Sequence, residues 1–449
     1  MKKLLILSTL TLSFSVLSAD LAEVFKQSEA HDPQLSAAKH TLDASMEGKK
    51  QAFSAFLPTA TSSFDKSFGK SKNVSFFSNQ PATYSRSESW GVSLSQTLYN
   101  HASYQSYRIS ELQILKSQAD YTTAYQDFIL RVAQSYFNLL GAKDSLVFSK
   151  AEEKAIQRQL DQAEQRFEVG LAAITDVHES RARFDGARAS VILAQNSLDD
   201  TKEALFEMAQ KYYEQLSEVP NDLAYDSFKL SPMDAYQELA IQQSPELISS
   251  KVGKDIAEKQ IEISRAGHYP TLGLSFRRNH SLSPGNIISQ FNPQTGNVEQ
   301  FDSGNSFNDS NSISLNLSVP IYSGGKTQSQ VRQSVHNHKA AMDRYEQARR
   351  SVVRKVRNAY HGTLASKSSV EARKQAMISA QSGLEATEAG YEVGTRTIVD
   401  VLNSQRSLYQ AQRDYSKAKY DYFIQYLGLK RAAGNLSEED ITTINKVLK

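Results

Sequence analysis

Gly324-Gly-Lys-Thr327 has the residue types of a phosphate-cradling turn, but the position five before Gly325 is Pro320, where such a loop needs glycine. His336 and His338 stand two apart, which on a helix turns them to different sides and denies a metal two ligands. No serine, histidine and carboxylate grouping stands out, and the absence of cysteine excludes disulfides, thiolate metal sites and nucleophilic thiols. The sequence is therefore expected to be no enzyme and to hold no cofactor or metal. Polar residues remain around two glycines, Gly170 and Gly394. Arg396 lies at the expected start of a helix, where a cation opposes the macrodipole by ~0.3–1 kcal/mol unless a carboxylate offsets it. Arg396 and Glu388 read equally as solvated turn residues whose pairings are each worth ~0–1 kcal/mol. Thr397-Ile-Val-Asp400 has the spacing of a helix capping box.

These residues sit in a duplicated chain. Arg166-Phe-Glu-Val-Gly170-Leu-Ala-Ala-Ile-Thr-Asp176-Val returns as Gly390-Tyr-Glu-Val-Gly394-Thr-Arg-Thr-Ile-Val-Asp400-Val, a separation of 394 − 170 = 224 residues. Leu57-Pro58-Thr answers Tyr269-Pro270-Thr at 270 − 58 = 212, so the second copy carries an insertion between those prolines and the later landmarks. That insertion is expected in a loop. The first repeat is assigned to 20–230, with strands about 59–68 and 89–98 and a helical hairpin about 102–210 whose tip is near 170. The second is assigned to 231–449, with strands about 271–279 and 311–321 and a hairpin about 326–432 whose tip is near 394.

Met1-Lys2-Lys3, an apolar run from Leu4 to Leu17 and then Ser18-Ala19 form the pattern of a secretory signal, 1–19, with cleavage expected after Ala19. The run is shorter than the ~20 residues a spanning helix requires. Fifty-one basic and 49 acidic residues leave a net charge of +2, with no field to steer nucleic acid. A membrane contact must then come from a β-barrel or from the surface.

No proline lies between Pro81 and Pro220, and none follows Pro320, which suits two long uninterrupted helical tracts. Tyr125, Phe128, Val132 and Leu139 keep the spacing of an interhelical seam. Gly170 and Gly394 reverse the tracts, because glycine accepts the left-handed backbone that ends a helix. Before each tract the pattern changes to period two: Trp90, Val92 and Leu94 share one face, as do Ile313, Leu315, Leu317, Val319 and Ile321. Trp90 reads as an interfacial belt residue or as ordinary packing between strands. Four strands with one apolar and one polar face have the pattern of strands that cross an outer membrane. Gly69 to Arg86 and His280 to Ser310 are expected to be external loops. Four strands cannot close a barrel, so two, three or four copies must share one. A coiled-coil scaffold that spans without conducting would need no such lipid-facing band.

The signal peptide, the two Pro-Thr strand entries, Pro320-Ile-Tyr-Ser-Gly-Gly325 and above all Gly390 to Val401 closely resemble the TolC family of Gram-negative outer-membrane channels. The resemblance covers essentially the whole mature chain and implies a mixed α and β membrane protein. In it a homotrimer forms a twelve-stranded transmembrane β-barrel in outer-membrane lipid, continued by a periplasmic α-helical barrel. It implies an exit duct for drug efflux or type I secretion, docked through a periplasmic adaptor onto an inner-membrane pump that is proton-driven or ATP-driven. It also implies a gate latch: Tyr391 to Asp176, Arg396 to Thr175 and Asp176 of a neighbouring chain, and Gln159 to Glu388. Asp400 would form a selectivity ring, and the family's second aspartate is Asn403 here. Adaptor docking falls at the tips, Gly170 and Gly394. The segments Tyr212 to Leu230 and Asn435 to Lys449 fit neither pattern and match the family's collar.

Overall fold

The computed structural model describes residues 18–72, 74–75, 78–79, 83–220, 228, 230–285, 287–302 and 304–448. Of the expected signal peptide only Ser18 and Ala19 fall within this range. The chain divides into two compact units, one of residues 42–117 and 251–344, the other of 1–41, 118–250 and 345–449. Neither unit is one half of the sequence duplication, since each draws on both halves.

The first unit holds β1 (Thr59–Ser71), β2 (Val74–Ser75), β3 (Ser78–Asn79), β4 (Thr83–Tyr99), β5 (Thr271–Ser283), β6 (Ile287–Asn292), β7 (Asn297–Asp302) and β8 (Ser306–Ser318). β1, β4, β5 and β8 form one antiparallel sheet in that order. Paired residues in such a sheet point to the same side, so the register sorts the side chains. One row reads Ala60, Leu94, Phe276, Ile313, and another Phe64, Trp90, His280, Asp309. The alternate rows read Thr59, Ser95, Ser275, Ser314 and Thr61, Ser93, Arg277, Ser312. Hydroxyl pairs bond across that polar side, Thr59 to Ser95 at 2.8 Å and Thr61 to Ser93 at 2.7 Å. On the apolar side Trp90 stacks on His280 with ring centroids 5.7 Å apart, beneath the Arg278 guanidinium. Packing between strands thus engages Trp90.

The segments expected to be loops are largely strand. β1 and β4 continue to Ser71 and back to Thr83, β5 continues to Ser283, and β6 pairs with β7 as a hairpin of its own. The inserted residues of the second copy extend this hairpin: β6 and β7 have six residues each where β2 and β3 have two. Their apolar residues do not alternate with polar ones over a strand's length, as Ile287-Ile288 and the polar ends of β1 and β4 show, so period two does not reveal them.

Helices α1 (Leu21–His31), α2 (Pro33–Ser54), α3 (His101–Glu168), α4 (Ile174–Ala209), α5 (Met233–Gln243), α6 (Pro245–Arg265), α7 (Lys326–Glu392), α8 (Ile398–Ala433) and α9 (Glu438–Asn445) complete the chain. No helix among the described residues is long and apolar enough to cross a membrane. In the second unit Phe128, Ile129, Val132, Tyr136, Phe137 and Leu140 of α3 pack against Tyr420, Phe423 and Leu427 of α8. Phe137 stacks on Phe423 at 5.4 Å. Phe228 closes edge-on over Phe423 at 5.5 Å, and Tyr213, Leu216, Val219, Ile441 and Ile444 join the same core. These last residues bind the irregular connection and the C-terminal helix to the hairpins. The buried Tyr136 hydroxyl donates to the Ser217 carbonyl at 2.8 Å, so this anchor leaves no buried donor unpaired.

Candidate gate and aperture at the hairpin turns

Both hairpin turns are built the same way. Gly170 and Gly394 have φ of 75° and 79°, the left-handed region where a side chain is strained. Gly170 N–H bonds the Phe167 carbonyl and Leu171 N–H bonds that of Arg166, while Gly394 and Thr395 repeat this with Tyr391 and Gly390. This is a Schellman end, in which one residue past the helix satisfies carbonyls the helix leaves open. Val169, Leu171 and Val393 are consequently thrown outward, 69%, 76% and 75% exposed. Gly390 has a second duty, since a Cβ there would stand 2.7 Å from Arg396 Cγ. Its absence lets the arginine stem lie across the end of α7.

The two helices that follow start differently. At α8 the Thr397 hydroxyl accepts from Asp400 N–H at 3.3 Å, and Asp400 Oδ2 accepts from Thr397 N–H at 2.9 Å and from its hydroxyl at 2.9 Å. The capping box read from the spacing is present. The Thr397 backbone N–H, then its hydroxyl, hold the Asp400 carboxyl below the usual carboxylate range, with Arg396 adding to the effect. At α4 the equivalent cap is Ala173, which has no side-chain hydrogen bond to give. Without a cap hydroxyl the reciprocal box of α8 cannot form at α4, and Asp176, the counterpart of Asp400, makes no capping bond. Thr397→Ala should cost α8 about 1 kcal/mol, read as a lower denaturation midpoint, while the charge at position 400 remains.

Gln159, Glu388 and Tyr391 line one cleft of about 640 Å³, together with Gln162, Gln165, Arg166, Val169, Glu392 and Val401. Arg396, Thr175 and Asp176 are not among its lining. Within the chain Tyr391 makes no hydrogen bond to Asp176. Its ring lies under the Arg166 guanidinium, 4.8 Å from the centroid, an attraction between cation and ring face. Glu388 accepts from Gln405 at 3.4 Å, and the Gln159 side-chain oxygen is buried without a partner. Thr175 and Arg396 are exposed. Asn403 accepts from the Arg183 guanidinium at 3.4 Å. Sequence reasoning missed Arg166 and Arg183, whose partners lie more than two hundred residues away. Among the described residues no group of acids and histidines can hold a metal.

A four-stranded sheet that is apolar on one side and hydroxyl-lined on the other, in a chain whose remaining helices pair as long hairpins, defines a subunit of an outer-membrane channel. The family model for outer membrane efflux proteins matches residues 24–209 and 237–435. The chain is 39% identical to the outer membrane protein TolC of Vibrio cholerae over 98% of its length and 96% of that protein's. It is 27% identical to the alkaline protease secretion protein AprF of Pseudomonas aeruginosa, across 92% of this chain and 84% of that one. The Campylobacter jejuni CmeC outer membrane channel has the same fold, with a TM-score of 0.73 at 18% identity, over 96% of this chain and 90% of that one. The chain belongs to the outer membrane efflux protein family and resides in the Gram-negative outer membrane.

Proposed function

We propose that three copies of this chain form a passive exit duct that carries drugs, toxins or proteins from an inner-membrane pump across the periplasm and outer membrane. The observation that carries this reading is the sheet: its order leaves β1 and β8 as edges, each paired on one side only. Unpaired edges in lipid leave backbone groups without partners, each costing several kcal/mol. β8 of one copy pairing with β1 of the next closes a barrel, and three copies supply twelve strands. The matched lengths of α3 and α7, 68 and 67 residues, and of α4 and α8, 36 each, support two structural repeats per chain. Such repeats would give the helical part a pseudo-sixfold wall.

The latch rests on side chains that are free to leave the chain. Arg396 and Thr175 are exposed and Asp176 is uncapped, which suits an interchain bond between the second hairpin of one copy and the first hairpin of the next. Gln159 and Glu388 face one cleft, and a small closing movement would pair them. The apolar tips at Val169, Leu171 and Val393 offer the adaptor a docking surface beside Gly170 and Gly394. AprF is named for the secretion of a protease and the matched family for efflux, and one duct can serve either kind of pump.

Asp400 would place three carboxylates around the aperture, attracting cations and slowing their passage. With Asn403 neutral, cation selectivity and block by multivalent cations should be weaker than in a channel with two acidic rings, measured at matched ionic strength. Equal block would count against the single ring. The reading as a whole is tested by extracting the protein from outer-membrane fractions and recording it in planar bilayers. A trimer with discrete conductance steps is expected, and a water-soluble monomer without them would overturn it. Crosslinking from Leu171 should capture an adaptor.

A further inference from the structure

We propose that Arg183 is a specificity-determining residue of the aperture: its guanidinium sits against Asn403 and cancels negative charge that would otherwise face passing ions. The inference rests on the reading that Asp400 lines the constriction. Asn403 is three residues after Asp400 on α8, so the two share a helix face. Asn403 Oδ1 accepts from Arg183 Nη2 at 3.4 Å, and Arg183 Nε donates to Glu179 Oε1 at 3.0 Å along α4. The Glu179 contact fixes the fork, and the free end of the fork reaches across to α8. Asn403 is exposed and Arg183 is one-third exposed, so both remain within reach of ions in water.

Each chain thus brings to this level Asp400, Glu179 and Arg183, and the arginine leaves one net negative charge where two acids stand. An acid placed at 403 would occupy the position of the present amide and take a charge-assisted bond from the same guanidinium. The level would then carry two net negative charges per chain, the one guanidinium being shared between Glu179 and position 403.

Cation over anion permeability, recorded in bilayers at about 0.1 M salt where charges act over ~10 Å, separates the contributions. Arg183→Gln should raise the ratio about twofold or more, and Arg183→Lys should leave it near the wild-type value. Asn403→Asp should raise it as well, and the same change beside Arg183→Gln should raise it beyond either change alone. An unchanged ratio in Arg183→Gln, or a rise of the same size in Arg183→Lys, would overturn the proposal. Asp400→Ala is the control for the underlying reading: a drop in selectivity keeps the aperture assignment whatever Arg183 does, and no drop removes that assignment and this proposal together. Retention of the trimer on gels verifies assembly of every variant.

A separate observation bears on processing. The structure assigns the mature chain a start at Ala19, one residue earlier than the sequence pattern suggests. Ala19 is buried, its N–H bonds the Gln215 carbonyl at 2.9 Å, and its own carbonyl accepts from Ser217 N–H at 3.0 Å. The pair forms a parallel bridge with Leu216 over the Tyr136 hydroxyl. Cutting after Ala19 would remove these bonds from the core and would also put bulky Leu17 three residues before the cut. Cutting after Ser18 puts Val16 and Ser18 at the two positions that favour small residues, and the new Ala19 ammonium keeps a hydrogen for Gln215. N-terminal sequencing of protein purified from outer membranes should begin Ala-Asp-Leu. A sequence beginning Asp-Leu-Ala would overturn the assignment.

Discussion

Arg396→Ser combined with Tyr391→Phe should raise the single-channel conductance of the assembled protein several-fold in planar bilayers. Among the described residues Arg396 makes no ion pair within 4 Å, and Gly390 leaves room for its stem beside the end of α7. Asp400 in the first turn of α8 offsets part of the cost of its helix-start position, and in the proposed latch Asp176 of the next copy would offset the rest. The Tyr391 ring is held from above by Arg166, which leaves its hydroxyl to reach for Asp176 when the hairpins close. Each link is worth about 0–1 kcal/mol at an exposed site, so in the proposed trimer a handful of them would hold the gate by a few kcal/mol. An adaptor's binding energy can exceed that. Tyr391→Phe alone keeps the ring under Arg166 and should do less than the double change, while Tyr391→Leu should do more than Tyr391→Phe. Wild-type conductance in the double variant would remove these residues from the gate.

Much of the helical part can be read in the sequence, because burial in a hairpin imprints itself on spacing. Phe128, Val132 and Leu139 announce the seam in which all three are buried. The turn at Gly394 is equally open to reading, since left-handed backbone demands glycine and the box from Thr397 to Asp400 demands those two residue types. The strands are legible only where one face is apolar, as at Leu94 and Ile313. Beyond that band the ends of β1 and β4 are mostly polar and the sequences of β6 and β7 do not alternate with period two, so neither has a signature. Contacts between distant segments are the other gap. Arg183 resembles any charged residue of a solvated helix until α8 brings Asn403 to it, and Arg166 is one basic residue of a repeated motif until Tyr391 comes to lie under it. The two hairpins look interchangeable by sequence echo, yet Ala173 in place of a hydroxyl residue gives Asp176 and Asp400 different work.

Ile313→Arg should abolish assembly into the outer membrane, while Ser314→Arg, its neighbour on the same strand, should be tolerated. Ile313 is 77% exposed in the chain and heads the row Phe276, Leu94, Ala60, the level at which all four strands present an apolar side chain. If that row faces lipid at mid-depth, an arginine there costs about 2–4 kcal/mol per copy, and threefold symmetry repeats the cost three times. Ser314 belongs to the row of Ser275, Ser95 and Thr59 on the other side, where Thr59 and Ser95 bond through their hydroxyls and which would face the water-filled interior of the proposed barrel. An arginine in that row stays hydrated and only adds charge to the lumen. Folded trimer in outer-membrane fractions, resolved on unheated gels, is the readout. Both variants end with an arginine at neighbouring positions of one strand, and Ile313→Ser as a control removes the effect of losing the isoleucine, so the remaining difference reports the face. Similar loss at both positions would mean that the apolar side is covered by protein rather than lipid, and the barrel built from three such sheets would fail with it.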